Sequence, residues 1–344
     1  MDIDKYSNKG LSGLSNLGNT CFINSCIQIL SHTYELNNFL ENENYKKKLK
    51  NSYDSALLVE WDNLRKILWD ANCVVSPGRF IKVIQKVAQL KKMEIFTGYS
   101  QNDVSEFLLF LIDCFHSALS REIKFTISGQ PENETDKLAI KCFEMIKDTY
   151  SKDYSEIWNL FYAVNVSEIT RVDNNKVLIT KPEPFFMVDL PIPTNNKSPS
   201  LIDCFNFYVE GEIIENYKDD ETNEIVNIRK RILFWSFPNI LAIDLKRFNN
   251  NNFQKNQIHI TFPLDNLDLS EYVIGYKKDK YIYELYGVCN HSGGVLGGHY
   301  TSYVKNANGK WYHFNDTSVT EVEQAESIIS PKAYVLFYRK KNIN

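Results

Sequence analysis

Nowhere in the 344 residues do two cysteines stand three apart, the spacing that lets a short loop offer a pair of thiolates to zinc. The seven cysteines (Cys21, Cys26, Cys73, Cys114, Cys142, Cys204 and Cys289) are odd in number and dispersed, which argues against a disulfide framework. Long apolar runs are missing, and the opening MDIDKYSNKG lacks the basic-then-apolar order of a secretory leader. Neither sign of charge dominates: 39 Lys and Arg stand against 43 Asp and Glu, a net charge of −4. That balance disfavours non-specific attachment to nucleic acid or to an acidic membrane. No internal repeat occurs. What remains is a globular composition, 43% hydrophobic and 13% aromatic, suited to a reducing, intracellular setting, cytoplasmic or nuclear.

The pattern changes along the chain. Apolar residues recur at helical spacing over about 20–31, 55–70, 76–88 and 101–119, and the polar stretch 128–156 reads as a loop with a further helix. Asn19 and Thr20 are N-cap types, placing Cys21 in the first turn of its helix. Ser76 with Pro77 marks one helix start, and Ser100 with Asp103 resembles a capping box at another. Beyond about residue 156, segments rich in aromatic and β-branched residues read as strands. Leu241, Ile243 and Leu245 alternate with Ala242, Asp244 and Lys246, the pattern of a half-buried strand. The charged segment 215–231 reads as an exposed turn or hairpin tip.

Cys21, in GLSNLGNTCFINS, is open to three readings: a small buried residue, a metal ligand or a nucleophile. A nucleophilic thiol needs a favoured thiolate, a base, a group to orient that base, and donors for an oxyanion. A helix N-terminus helps with the first. Nothing near Cys21 is a base, but His299 stands at the start of HYTSYVKNANGKWYHFND, which reads as a hairpin turning at Asn306–Gly309. A four-residue loop pairs Lys305 with Lys310 and sets His299 opposite Asp316; a loop of three or five residues sets it against Asn315. Either side chain beside the imidazole can fix its tautomer.

GLSNLGNTCFINS resembles the cysteine box of the ubiquitin-specific proteases, and GGHYTSYVKNANGKWYHFNDTSVTEV resembles their histidine box. YSQNDVSEFLLFLID, KPEPFFMVDLPI, FPNILAIDLKRF, ITFPLDNLDLSEY, YELYGVCNHSGG and AYVLFYRK follow in the family's order, so the resemblance covers about residues 11–339. It implies an α+β, papain-like cysteine protease fold in one catalytic domain over 11–340. A helical thumb would span about 11–155, β fingers with part of the palm about 156–235, and the palm about 236–340. It implies a deubiquitinating thiol isopeptidase that cleaves after the C-terminal glycine of ubiquitin. Cys21 would be the nucleophile, His299 the base, Asn315 the third member, Asp316 its acidic neighbour and Asn16 the oxyanion donor. Gln101, Asp103 and Glu106 would meet the basic tail Leu-Arg-Leu-Arg-Gly-Gly, and the glycine run ending in Gly297 and Gly298 would let main chain approach its Gly-Gly end.

Many members hold a zinc at the fingers tip with two CxxC pairs. The matching stretches here, SEITRVDNNKVLIT and NYKDDETNEIVNIRKR, carry no cysteine, so neither a structural metal nor a cofactor is expected and strand pairing must hold any extension. The expected partners are ubiquitin and ubiquitinated proteins, with substrate choice left to the domain or to an adaptor protein. Two rival readings remain: an inactive ubiquitin-binding protein, and a protease for another ubiquitin-like modifier.

Overall fold

The computed structural model describes residues 2–249, 254–294 and 297–341. Its first half is helical. A two-residue strand β1 (Gly13–Leu14) leads into α1 (Cys21–Ser31), followed by α2 (Tyr34–Glu41) and α3 (Tyr53–Asp70). β1 is held by a short parallel partner, β2 (Val74–Val75), and then come α4 (Gly78–Leu90), α5 (Val104–Leu119), α6 (Glu134–Asp153) and α7 (Glu156–Phe161). Two starts differ from expectation. α4 begins one residue after Pro77, which occupies the N-cap position. α5 begins at Val104, because Asp103 rather than Ser100 is the N-cap and its Oδ1 accepts from the N–H groups of Ser105 and Glu106.

The second half carries the strands, so the class is the expected α+β. β3 (Ala163–Arg171) and β4 (Val177–Phe185) form a long hairpin, and β5 (Met187–Leu190) and α8 (Leu201–Glu210) lead to a second hairpin, β6 (Glu212–Lys218) and β7 (Ile225–Phe234). The two hairpins join in the order β4-β3-β7-β6 as one antiparallel sheet. β8 (Ile240–Leu245) comes next. It is followed by a small ribbon of β9 (Phe248–Asn249) and β10 (Gln254–Lys255), and by β11 (Leu267–Asp268). The remaining strands are β12 (Ile282–Gly294), β13 (Gly297–Lys305), β14 (Trp311–Asn315), β15 (Ser318–Val322) and β16 (Ala333–Lys340). The main sheet runs β15-β14-β13-β12-β16-β8-β5, antiparallel except for β5 beside β8, with β11 on β12.

Both faces of this sheet are covered, which corrects the half-buried reading of 241–245. Leu241, Ile243 and Leu245 enter one core with Leu336 and Tyr338, while Ile240 and Ala242 enter the other with Val335 and Phe337. The alternation survives only at Asp244 and Lys246, both of which line a polar cleft.

α1 is buried at every position, including its polar ones, and those polar side chains orient it. Gln28 donates to the Ser12 carbonyl (2.8 Å), Ser25 to the Thr301 carbonyl (2.9 Å) and Asn24 to Asp316 (2.8 Å). Each bond contributes on the order of 1 kcal/mol net, but leaving such a group unpaired would cost more, so together they permit one rotation of the helix. Phe22 packs edge-on against Phe107 of α5, 5.4 Å between ring centroids. The nucleophile candidate is thus carried by the most deeply enclosed helix, wedged between α5 and β13.

At the far end of the four-stranded sheet, the turns 172–176 and 219–224 lie side by side and are joined by Arg171. Its guanidinium donates to Asp173 (2.7 and 3.0 Å), Glu224 (2.9 Å) and Asp219 (3.4 Å). Strand pairing is therefore not alone in holding this extension. A cation already occupies the middle of the carboxylates, so the residues present do not suit the zinc that many relatives of the resembled family carry.

Candidate active site

Cys21 is the first residue of α1, nearly inaccessible at 2% exposure. Thr20 is the N-cap residue by position, but its hydroxyl turns away from the helix and accepts from the Leu17 N–H (2.9 Å). Asn19 takes φ +53° and ties this loop to the Tyr99 carbonyl through Nδ2 (3.0 Å). The loop is further shaped by Asn16, whose Oδ1 accepts from the N–H groups of Gly18 (3.1 Å) and Thr20 (3.2 Å). None of the other six cysteines starts a helix: burial pushes the thiols of Cys26, Cys114, Cys142, Cys204 and Cys289 upward, and Cys73 is exposed.

The hairpin carrying His299 closes on a five-residue loop, 306–310, and the expectation that such a loop sets His299 against Asn315 is overturned: the register leads His299 toward Thr317. Lys305 pairs with Trp311 and Ser302 with Phe314, one position beyond the pairing that sets His299 opposite Asp316 and two beyond that for Asn315. The cause is Gly309. Its N–H closes a turn on the Asn306 carbonyl (2.9 Å), and its φ of +81° makes it the extra residue of a bulge before Lys310 bonds back to Asn306. The ladder stops at Ser302, and beyond it the side chains meet on a diagonal: His299 Nε2 lies 2.7 Å from Asn315 Oδ1. With Oδ1 as acceptor, the proton sits on Nε2 and Nδ1 keeps its lone pair.

Asp316 is not at the imidazole. Held at φ +49°, it accepts from Asn16 Nδ2 (3.0 Å) on one oxygen and from Asn24 Nδ2 (2.8 Å) on the other, and its carbonyl accepts from the Leu14 N–H (2.8 Å). The turn comes so close to β1 that a Cβ on Gly13 would lie 2.3 Å from the Thr317 carbonyl oxygen. Asn16 and Asp316, expected to serve two different roles, therefore form one contact.

Gln101 lies in the loop before α5, not on its face. Its Oε1 accepts from the Gly298 N–H (2.8 Å), its Nε2 donates to the Gly298 carbonyl, and the same Nε2 is 3.8 Å from Cys21 Sγ. One carboxamide thus links the thiol to the residue preceding His299. Away from Cys21 opens a cleft of about 600 Å³ lined by Gln101, Asp103, Glu106, Gly297 and other residues of both walls. Asp103 is less free than a solvent-facing carboxylate: besides capping α5, it accepts from Tyr334 Oη (2.6 Å). The Glu106 carboxyl is pushed up by burial and by Asp103.

Several cleft residues escaped the sequence reading. Asp189 and Asp244 are register partners on β5 and β8, and both reach the cleft. Burial, together with Asp103 and Asp189, pushes the Asp244 carboxyl up to about 8. An acidic residue interrupting an apolar strand was the available signal for Asp244. Asn24, one helical turn after Cys21, gave none until its partner was visible. His291 is buried beside Lys255 and Tyr300, and burial, with the Lys255 ammonium next to it, pulls it down to about 4. Among the described residues, no group of three or more His, Cys, Asp or Glu is disposed to hold a metal ion.

Comparison with known proteins follows the same outline. A family model described as ubiquitin carboxyl-terminal hydrolase matches residues 12–338. Ubiquitin carboxyl-terminal hydrolase 2 of Homo sapiens is 34% identical over 352 residues, covering 98% of this chain and 56% of that protein. The protein of the same name in Gallus gallus is 32% identical over 350 residues, covering 96% of this chain and 93% of its own length. The chain thus spans about half the length of the Bos taurus and Homo sapiens relatives, 56% in each. Among solved structures, a chain of the SAGA Ubp8/Sgf11/Sus1/Sgf73 DUB module bound to ubiquitin aldehyde is similar, with a TM-score of 0.74 at 25% identity. The match covers 98% of this chain and 71% of that one. With the family model matching nearly end to end, over a papain-like arrangement of helices and sheet, the chain belongs to the ubiquitin carboxyl-terminal hydrolase family.

Proposed function

We propose that this chain is a cysteine-dependent deubiquitinase, cleaving the bond after the C-terminal glycine of ubiquitin in ubiquitinated proteins. The observation that carries the reading is the 2.7 Å bond between His299 Nε2 and Asn315 Oδ1, on a strand linked through Gln101 to Cys21. Such a bond leaves Nδ1 free to take the thiol proton. The Cys21 thiolate then attacks the glycine carbonyl carbon, and the proton passes from His299 to the departing amine. Water, deprotonated by the same imidazole, hydrolyses the thioester and restores the thiol. Asn16, steadied by Asp316, and main-chain N–H groups near Cys21 receive the oxyanion; one such donor is worth about 2.7–4 kcal/mol of barrier. Asp103, Glu106 and Asp189 give the cleft its acidic lining, which suits the arginines of the ubiquitin tail.

The same reading takes residues 11–340 as one catalytic unit with the thumb, fingers and palm limits given above. It needs no metal or cofactor and assigns an intracellular site of action, cytoplasmic or nuclear. Among the described residues no helix is long and apolar enough to cross a membrane. An adaptor protein is a natural further partner, since the SAGA relative is solved with Sgf11, Sus1 and Sgf73.

The test is release of a fluorophore from a ubiquitin C-terminal amide by the purified protein and by Cys21→Ala, with other ubiquitin-like modifiers in parallel. Cys21-dependent release from ubiquitin is the expected outcome. Absence of any Cys21-dependent release would mean a binding protein, and release only from another modifier would overturn the substrate.

A further inference from the structure

The ladder between β13 and β14 ends at Ser302 and Phe314, so among the described residues no strand pairs on that side with the stretch of β13 before Ser302. Gly298 pairs with Gly293 of β12 on its other side. Its own N–H and C=O therefore face an open edge, a donor and an acceptor ready for one residue of an added strand. Nothing projects from Gly298 to obstruct that edge. A side chain there is excluded, since a Cβ would lie 2.4 Å from His291 Nε2 and from the Ser292 carbonyl oxygen.

Both edge groups are nevertheless taken. The Gln101 carboxamide presents its oxygen to the Gly298 N–H (2.8 Å) and its nitrogen to the Gly298 carbonyl, as a residue of an antiparallel strand would with its own main chain. Gln101 comes from the opposite wall of the cleft, from the loop ahead of α5. Its Nε2 also lies against Cys21 Sγ, so it spans the walls at the cleft's inner end.

Resting on the deubiquitinase reading, the geometry points to Gln101 as a substrate-displaced latch: its carboxamide stands in for one residue of the incoming tail and shuts the final step to Cys21. An extended peptide laid against Gly298 trades two hydrogen bonds for two, so opening costs it little. A small electrophile has no such groups to trade and meets a closed site. The latch is thus selective for an extended main chain, and it lowers the idle reactivity of the thiol.

Alkylation of Cys21 by iodoethane, which carries no hydrogen-bonding group, followed against pH with Cys21→Ala as the blank, separates access from ionisation. The high-pH plateau reports access, and the midpoint reports thiolate stability. Gln101→Ala and the shorter Gln101→Asn, each checked for unchanged thermal melting, are expected to raise the plateau about tenfold, the factor set by losing one to two net hydrogen bonds. A plateau unchanged or lowered, even with a shifted midpoint, overturns the latch and makes Gln101 a thiolate donor. In a second measurement ubiquitin is added to ¹⁵N-labelled Cys21→Ala protein. The Gln101 side-chain amide signal is expected to move as the latch opens. If cleft signals move while that signal stays, the latch is wrong; if ubiquitin moves no signal, the deubiquitinase reading is wrong, and the alkylation plateau still decides the latch.

Discussion

Asp316→Asn is an informative substitution because asparagine keeps the size and tolerates the φ of +49° at this position. What it removes is one acceptor. The Asp316 carboxylate receives Asn16 on one oxygen and Asn24 on the other, and a carboxamide can serve only one of them, turning its own NH₂ toward the second. Asn24 is buried and Asn16 exposed, so the surviving oxygen goes to Asn24 and Asn16 is released. A hydrogen bond to a charged acceptor contributes about 1.5–3 kcal/mol, and full loss of an oxyanion donor costs about 2.7–4 kcal/mol of barrier. Asp316→Asn should then lower kcat on a ubiquitin amide by about 10- to 100-fold, with KM nearly unchanged. The deciding measurement is a double-mutant cycle with Asn16→Ala. If Asp316 acts by aiming Asn16, the double variant is no slower than Asn16→Ala alone. Losses that multiply would refute this and return Asp316 to the imidazole, and a kcat within twofold of wild type would refute any role in the reaction.

Two further perturbations test other parts of the structure. Asp244 holds its proton in the folded protein up to about 8, whereas the unfolded chain loses it near pH 4, so wild-type stability falls across that window by roughly 1.4 kcal/mol per pH unit. Asp244→Asn removes the slope: its melting temperature should exceed wild type at pH 8 and match it near pH 4, and a pH-independent difference would contradict the assignment. At the far end of the four-stranded sheet, Arg171→Met should speed amide exchange several-fold in the turns 172–176 and 219–224 while leaving the His299 hairpin protected. About 1 M salt should act on wild type in the same direction and a chelator should not, and unchanged exchange in the variant would show that the strands suffice.

The parts of this site that lie within one stretch of chain were legible in the sequence. Cys21 at a helix start and His299 near Asn315 on a tight hairpin are local arrangements, and both form. The register between them was not legible, because one left-handed glycine, Gly309, shifts every pair and the loop can be counted in several ways. Gln101 was expected on a helix face because Ser100 offers a plausible cap, but Asp103 competes successfully with two backbone bonds and leaves Gln101 free to reach across the cleft. Its partner is 197 positions away, a separation that no spacing rule encodes. Asp244 misled in the opposite way: its polarity suggested a water-covered face, whereas the strand is central and the polar residue marks the cleft.

The contact between Asn16 and Asp316 joins residues 300 positions apart, and between them lie six of the eight strands of the main sheet. On the proposed mechanism, a ribosome therefore delivers the thiol of Cys21 long before His299 as base, Asn315 to orient it, and Asp316 as the clamp on the Asn16 loop. Until β13 and β14 are made, the helix bearing Cys21 also lacks the surface against which its Ser25 and Asn24 dock. Throughout most of its synthesis the chain carries a nucleophile with no assembled machinery around it. On that mechanism, completing the fold is also what assembles the groups around the thiol.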